Sequence, residues 1–114
     1  MLFRSFTAFP PDPPKILNKE KQLSSQYFTL RWSKPAENGR TISGYFVYHR
    51  ELNSNSSKGT LEKKVAGMNL NYNFTLKWAT SYKFIVTARN DQGESTKNNT
   101  MIFTVMLEIG RAHV

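Results

Sequence analysis

Apolar and polar residues alternate at every second position along most of this chain. In the first clear run, which starts at Tyr27, the large side chains of Phe28, Leu30 and Trp32 share one face. Because successive side chains of a strand point to opposite faces, a period of two predicts strands with one buried face. The alternation is strongest over residues 82–89. No part of the sequence shows a convincing helical period.

Turn residues divide this pattern into seven predicted strands. Pro35 and the Asn38-Gly39 pair follow the second strand, and the polar residues 53–59 form a loop after the third. The predicted strands cover residues 15–17, 27–32, 42–49, 61–65, 72–76, 82–89 and 101–105. Seven short strands with no helix to cover a parallel sheet predict an all-β fold, in which two antiparallel sheets pack face to face.

The inward-facing positions of these strands define the predicted core. Large aliphatic and aromatic side chains occupy nearly all of them. The predicted core residues are Phe28, Leu30, Trp32, Tyr45, Val47, Leu76, Tyr82, Phe84, Val86 and Ala88. The chain has no cysteine, so no disulfide can contribute and hydrophobic packing must hold the domain together.

Length and composition fit one packed domain. A chain of 114 residues can bury one core, and 39% hydrophobic with 13% aromatic residues argues against disorder. We expect an N-terminal extension or linker over residues 1–10, a domain over 11–106, and a C-terminal tail over 107–114 that resembles a translated sequencing adapter. The first residues lack the apolar stretch of a secretory signal, and no apolar run approaches the roughly 20 residues of a membrane-spanning helix.

The segment from Pro11 to Val105 resembles a fibronectin type III domain. Four features carry the resemblance: a Pro-x-x-Pro-Pro segment before the first strand, Leu30–Pro35 with its tryptophan, Ile42–Val47, and Leu76–Gly93. The resemblance implies a seven-stranded antiparallel Ig-like sandwich that binds or spaces other domains and does not catalyse. Such domains are arrayed in adhesion proteins, cell-surface receptors, matrix proteins and some muscle filament proteins.

The resemblance also assigns roles to single residues. Tyr82 would be the corner tyrosine, whose hydroxyl forms a hydrogen bond back to the preceding loop. Trp78 stands where the family usually has a proline, and His49 stands where an aromatic residue is common. The sequence contains no Arg-Gly-Asp motif and no Trp-Ser-x-Trp-Ser box. The missing box and the missing cysteines argue against a cytokine-receptor domain.

The sequence lacks the parts of an active site. Its two histidines are His49, in a predicted strand, and His113, in the tail, and it has neither cysteine nor paired carboxylates. Acid-base, nucleophilic and metal chemistry need such groups converging in a pocket. We therefore predict that the domain is not an enzyme and uses no cofactor, and we interpret His49 as a packed strand residue.

Three Asn-x-Ser/Thr sequons, at Asn55, Asn73 and Asn98, are candidate glycosylation sites. Asn55 lies in a predicted loop, and Asn73 faces outward in its strand. A chain rich in asparagine and serine also produces such triplets by chance. The sequons favour the extracellular part of a membrane or secreted protein, with a cytoplasmic location as the alternative.

The outward-facing side of two predicted neighbouring strands forms a candidate partner surface. Apolar side chains ringed by charge often mark a protein contact, although a neighbouring domain or an edge strand could also cover them. The residues of this surface are Phe46, Tyr48, Arg50, Lys83, Ile85 and Arg89, with Thr87 among them.

The formal charge of +8 could attract nucleic acid, sulfated glycans or anionic lipids. The basic residues are scattered, however, and Lys63-Lys64 is the only adjacent pair. We expect a solvated basic surface with weak sulfated-glycan binding at most and no specific nucleic-acid binding.

Three functions stay open. They are an extracellular adhesion or receptor module that contacts other proteins and neighbouring domains, an intracellular structural repeat of the titin-like muscle-filament type, and direct binding of sulfated polysaccharide.

Overall fold

A computed structural model of the chain describes residues 8–52 and 61–107. Within these ranges the regular structure consists of strands, and no helix is present that could cross a bilayer. The strands are β1 (Gln22–Leu23), β2 (Tyr27–Arg31), β3 (Gly44–Glu51), β4 (Glu62–Gly67), β5 (Asn71–Thr75), β6 (Thr80–Asn90), β7 (Gly93–Glu94) and β8 (Thr100–Val105).

The strands form two sheets. The larger sheet has the order β1-β8-β6-β3-β4, with β7 beside β6, and the smaller sheet pairs β2 with β5. Every pair is antiparallel except β1 with β8, which run parallel. The all-β sandwich expected from the alternating pattern is confirmed.

The core lies between the two sheets. The ring of Phe28, from β2, lies 5.4 Å from that of Phe84 in β6 and 4.9 Å from that of Phe103 in β8. The structure buries all ten side chains that the sequence assigns to the core. It adds four that the predicted core did not include, namely Ile42, Ala66, Phe103 and Val105. Burial of each large apolar side chain stabilises by about 1.5–3 kcal/mol, so this cluster is the main source of stability.

The first predicted strand, residues 15–17, pairs with the end of the second: Leu17 N–H donates to Arg31 O at 2.8 Å, and Ser33 N–H donates to Lys15 O at 3.0 Å. The pairing is one isolated bridge between Ile16 and Trp32. The side chain of Asn18 then takes over the pairing, because its amide donates to Thr29 O at 2.9 Å and its oxygen accepts from Arg31 N–H at 2.8 Å. After this switch from main-chain to side-chain bonds, the chain passes to the other sheet, where β1 pairs with β8.

The turn before β6 has the tyrosine contact that the resemblance implies. The hydroxyl of Tyr82 accepts a hydrogen bond from Lys77 N–H at 2.9 Å. Trp78 is half-buried and packs against the core, and Ala79 has a left-handed backbone with φ 53°. The tyrosine thereby ties the turn between β5 and β6 to the sheet that β6 joins.

His49 is a packed strand residue in β3. Its ring lies 5.0 Å from Phe74 and 6.0 Å from Phe84, between the two sheets. Its Nε2 lies 3.5 Å from Glu62 Oε1 on the neighbouring β4. Burial lowers the pKa of His49 below its ordinary value, with Glu62 raising it and Lys64 lowering it by smaller amounts.

This lowered pKa predicts a loss of stability in acid. The unfolded chain takes up a proton on His49 near pH 6.5, while the folded chain resists it, so the contribution of His49 to the free energy of unfolding should be constant above about pH 6.5 and fall below it. His49→Phe keeps the aromatic contacts and should remove this component. Urea unfolding at pH 7.5 and pH 5.0 measures the difference, and an equal loss in both proteins would contradict the assignment.

Candidate partner surface

The outer face of the larger sheet carries the residues that the sequence assigns to a partner surface. Register pairs Tyr48 with Ile85 and Arg50 with Lys83 across β3 and β6. Phe46 lies opposite Thr87, two positions along the same face. The structure therefore brings these side chains together on the side of the sheet that faces away from the core.

The middle of this face is nevertheless less accessible than the sequence suggests. Tyr48 is only 8% exposed, Ile85 4% and Thr87 0%. Side chains from the segment that follows β6 lie over Tyr48 and Thr87: the Glu94 carboxylate accepts hydrogen bonds from both hydroxyls, and Lys97 Nζ lies 4.6 Å from the centre of the Tyr48 ring. The expectation that Tyr48 and Ile85 are open to solvent is corrected.

Glu94 forms the centre of a polar cluster on this face. Burial raises the pKa of its carboxyl, whereas the hydrogen bonds from Thr87 and Tyr48 lower it. The ammonium groups of Lys97 and Lys63 lower it further, and the pKa lies below its ordinary value. Burial, helped by the bond to Glu94, raises the pKa of Tyr48 to about 12. At neutral pH the carboxylate is therefore ionised and the phenol protonated, which keeps the cluster closed.

An open groove of about 670 Å³ lies at the end of the outer face where β3 begins and β6 ends. Phe46 and Val65 supply apolar lining, and Val65, on the last strand of the sheet, is 69% exposed. Two basic side chains flank the Phe46 ring: Lys63 Nζ is 4.1 Å from its centre and Arg89 Cζ is 5.9 Å from it. The accessible part of the candidate surface is this end of the sheet.

A second arginine stands on the loop side of the groove. Arg40 follows the Asn38-Gly39 turn, in which both residues have positive φ, 56° and 98°. Its Nη1 lies 3.3 Å from Asp91 Oδ2, and both side chains are substantially exposed. The groove thus combines an apolar lining with two arginines and one carboxylate, and Lys63 lies over its Phe46 ring.

Asn90 fixes the loops around the groove and was not assigned a role from the sequence. It is completely buried, and its amide donates to Phe9 O at 2.9 Å and to Glu37 O at 3.2 Å. Its side-chain oxygen accepts from Gln92 N–H at 2.8 Å. One side chain therefore joins the N-terminal segment, the loop that carries Arg40 and the turn after β6. Asn90 is a polar residue at an inward-facing position of β6, and this is the sequence signal that could have identified it.

The two candidate glycosylation sites within the described residues are both exposed. Asn73 lies in β5, where its side-chain oxygen accepts from Thr29 Oγ1 at 2.7 Å. Asn98 lies in the segment before β8. Asn55 lies outside the described residues. Over residues 8–52 and 61–107, no group of three or more His, Asp or Glu side chains is placed to hold a metal ion.

Comparison of sequences finds relatives in much longer proteins. Fibronectin type-III domain-containing protein 3A from Pongo abelii is 29% identical over 94 residues, which are 82% of this chain and 8% of that protein. The protein of the same name from Homo sapiens is also 29% identical over 94 residues and is covered over 7% of its length. The chain therefore spans less than a tenth of these relatives.

Comparison of structures gives the same fold. The twitchin kinase region from C. elegans superposes with a TM-score of 0.68 at 18% identity, over 90% of this chain and 18% of that one. The titin kinase with its flanking domains superposes with a TM-score of 0.56 at 25% identity, over 78% of this chain and 16% of that one. The third fibronectin III domain of the human KIAA0343 protein superposes with a TM-score of 0.62 at 18% identity, over 100% of this chain and 97% of that one.

The sequence model of the fibronectin type III domain family matches residues 12–104. This range includes every strand except the last residue of β8, together with the Tyr82 contact described above. The chain belongs to the fibronectin type III domain family.

Proposed function

We propose that this domain is a non-catalytic module that contacts another protein through the groove end of its larger sheet. Fibronectin type III domains are generally non-catalytic modules of multidomain proteins, and the relatives matched here are far longer than this chain. The observation that carries the proposal is the groove: half-buried Phe46 and exposed Val65 lie beside Lys63, Arg89 and Arg40. Apolar surface ringed by charge is a common feature of protein contacts.

Site-specific photo-crosslinking tests this contact. A photoreactive phenylalanine analogue in place of Val65 should link one defined protein when the domain is added to extracts of the cells that produce it. The matched control carries the analogue at Arg31, an exposed strand residue of the smaller sheet. The expected link forms from position 65 alone and disappears with Phe46→Ala. Equal linking from both positions, or links unaffected by Phe46→Ala, would contradict the proposal.

For the setting, we propose the extracellular part of an adhesion or receptor protein. The exposed sequons at Asn73 and Asn98 support it, because a glycan on either side chain would extend into solvent. A specific observation favours a second candidate, an intracellular structural repeat: the similarity to the titin kinase region, at 25% identity.

The extracellular setting predicts that the sequons can be used. When the domain is secreted from insect cells, we expect intact mass spectrometry to show a glycan that Asn73→Gln or Asn98→Gln removes. The matched control is Asn69→Gln, which changes an exposed asparagine that lies outside any sequon. A secreted, folded protein with no glycan on any sequon would favour the intracellular repeat.

A further inference from the structure

The groove has a charge pattern that selects among partners. Arg40 and Arg89 line it and Lys63 lies over its Phe46 ring, against the carboxylate of Asp91 in the lining and that of Glu94, which interacts with Lys63. Asp91 pairs with Arg40 at 3.3 Å, and because both side chains are exposed, the pair contributes little and leaves the arginine available to a second carboxylate.

The lining between these charges is apolar. Val65 is 69% exposed, and Phe46 lies beside it because the two residues pair across β3 and β4. The β4 strand is the last in its sheet among the described residues. An aromatic or aliphatic side chain placed on Phe46 and Val65 would bury this surface and leave the flanking cations within reach of its neighbours.

We infer that the groove binds an acidic segment of a partner protein, with one large apolar side chain on Phe46 and Val65 and carboxylates beside Arg40, Arg89 and Lys63. This inference rests on the proposed function and specifies the chemistry of the partner. Opposite charges favour the encounter and its orientation, while the buried apolar side chain contributes most of the affinity.

An acidic protein segment fits the groove better than a sulfated polysaccharide. A polysaccharide has no large apolar group that could bury Phe46 and Val65, so the exposed apolar surface of the groove would stay in contact with water. Basic side chains such as Lys15, Lys19 and Arg31 lie elsewhere on the sequence, so the chain lacks the run of cations that a polyanion prefers.

The test uses two synthetic nonapeptides of aspartate and glutamate, one with a central phenylalanine and one with a central serine. Each is titrated into 15N-labelled protein in about 0.1 M salt, and amide shifts report the site and the Kd. The phenylalanine peptide should shift Phe46, Val65 and Arg89. Arg89→Glu should weaken its binding by about fivefold or more. The matched control Arg31→Glu reduces the formal charge by the same two units and should change Kd by less than about twofold.

Three outcomes would overturn the inference. Equal weakening by Arg89→Glu and Arg31→Glu would show only nonspecific attraction to a basic protein. Equal binding of the two peptides would exclude the apolar contact. A heparin oligosaccharide that shifts the groove residues when neither peptide does would assign the site to a glycan. If the peptides fail while position 65 still crosslinks a protein, the acidic partner is wrong and the contact surface stands; if both fail, the proposed function fails as well.

Discussion

Trp32→Ala is expected to lower the free energy of unfolding by about 3–5 kcal/mol. The side chain is 1% exposed, and its ring lies 5.8 Å from that of Tyr45. Removing it would leave a cavity where the isolated bridge to Ile16 holds the first segment against the smaller sheet. Domains of this size have only about 5–15 kcal/mol of stability, so this loss is a large share of the total and is enough to unfold a domain at the lower end of that range.

A matched control exists in the adjoining strand. Tyr27, in β2, is 78% exposed, so Tyr27→Ala should change the free energy of unfolding by less than about 0.5 kcal/mol. Urea titrations followed by circular dichroism measure both variants. A Trp32→Ala protein with a midpoint near that of Tyr27→Ala would contradict the packing described for this end of the core.

Asn90→Asp is expected to cost about 2–4 kcal/mol, although it changes only one side-chain group. The buried amide donates to the carbonyl oxygens of Phe9 and Glu37. A carboxylate in its place cannot donate, and its charge would face these oxygens without a partner. The loop that carries Arg40 should loosen, so the groove would be disturbed along with the fold.

The same substitution at Asn98 provides the control for Asn90. Asn98 is exposed, and Asn98→Asp should alter the free energy of unfolding by less than about 0.5 kcal/mol. Thermal unfolding at pH 7 compares the two isosteric changes, and amide exchange of Arg40 and Gln92 reports the loops. Equal midpoints, with unchanged exchange at both loops, would show that Asn90 does not have the structural role described here.

The strands were predictable where one face is buried by a partner sheet. In β6, the large side chains of Tyr82, Phe84 and Val86 recur at every second position because they contact the core, whereas their neighbours lie on the outer face of the sheet. The strand β1 was not predicted, because it has only two residues and pairs with β8 after the Asn18 side chain has bonded to Thr29 O and Arg31 N–H. The local periodicity of apolar residues contains no information about hydrogen bonds that a side chain makes in place of main-chain groups.

The sequence predicts which face of the sheet the candidate surface occupies, but it predicts only partly how exposed the residues of that surface are. Alternation alone places Phe46 and Tyr48 on the outer face of β3. That Tyr48 is covered depends on Glu94, in the two-residue strand β7, and on Lys97, in the segment after it, and neither stretch is long enough to show a period. The groove depends in the same way on loops joined by Asn90, which are distant along the chain. Long-range contacts of this kind cannot be inferred from the spacing of apolar residues.

The most direct test is the affinity of the domain for the protein that crosslinks at position 65, measured by titration calorimetry with Phe46→Ala and Tyr27→Ala variants. Aromatic residues at the centre of a contact commonly dominate its affinity, so Phe46→Ala should raise the Kd by about tenfold or more, while Tyr27→Ala, on the smaller sheet, should leave it unchanged. A Kd unaffected by Phe46→Ala, or raised by Tyr27→Ala instead, would contradict the placement of the contact surface at the groove.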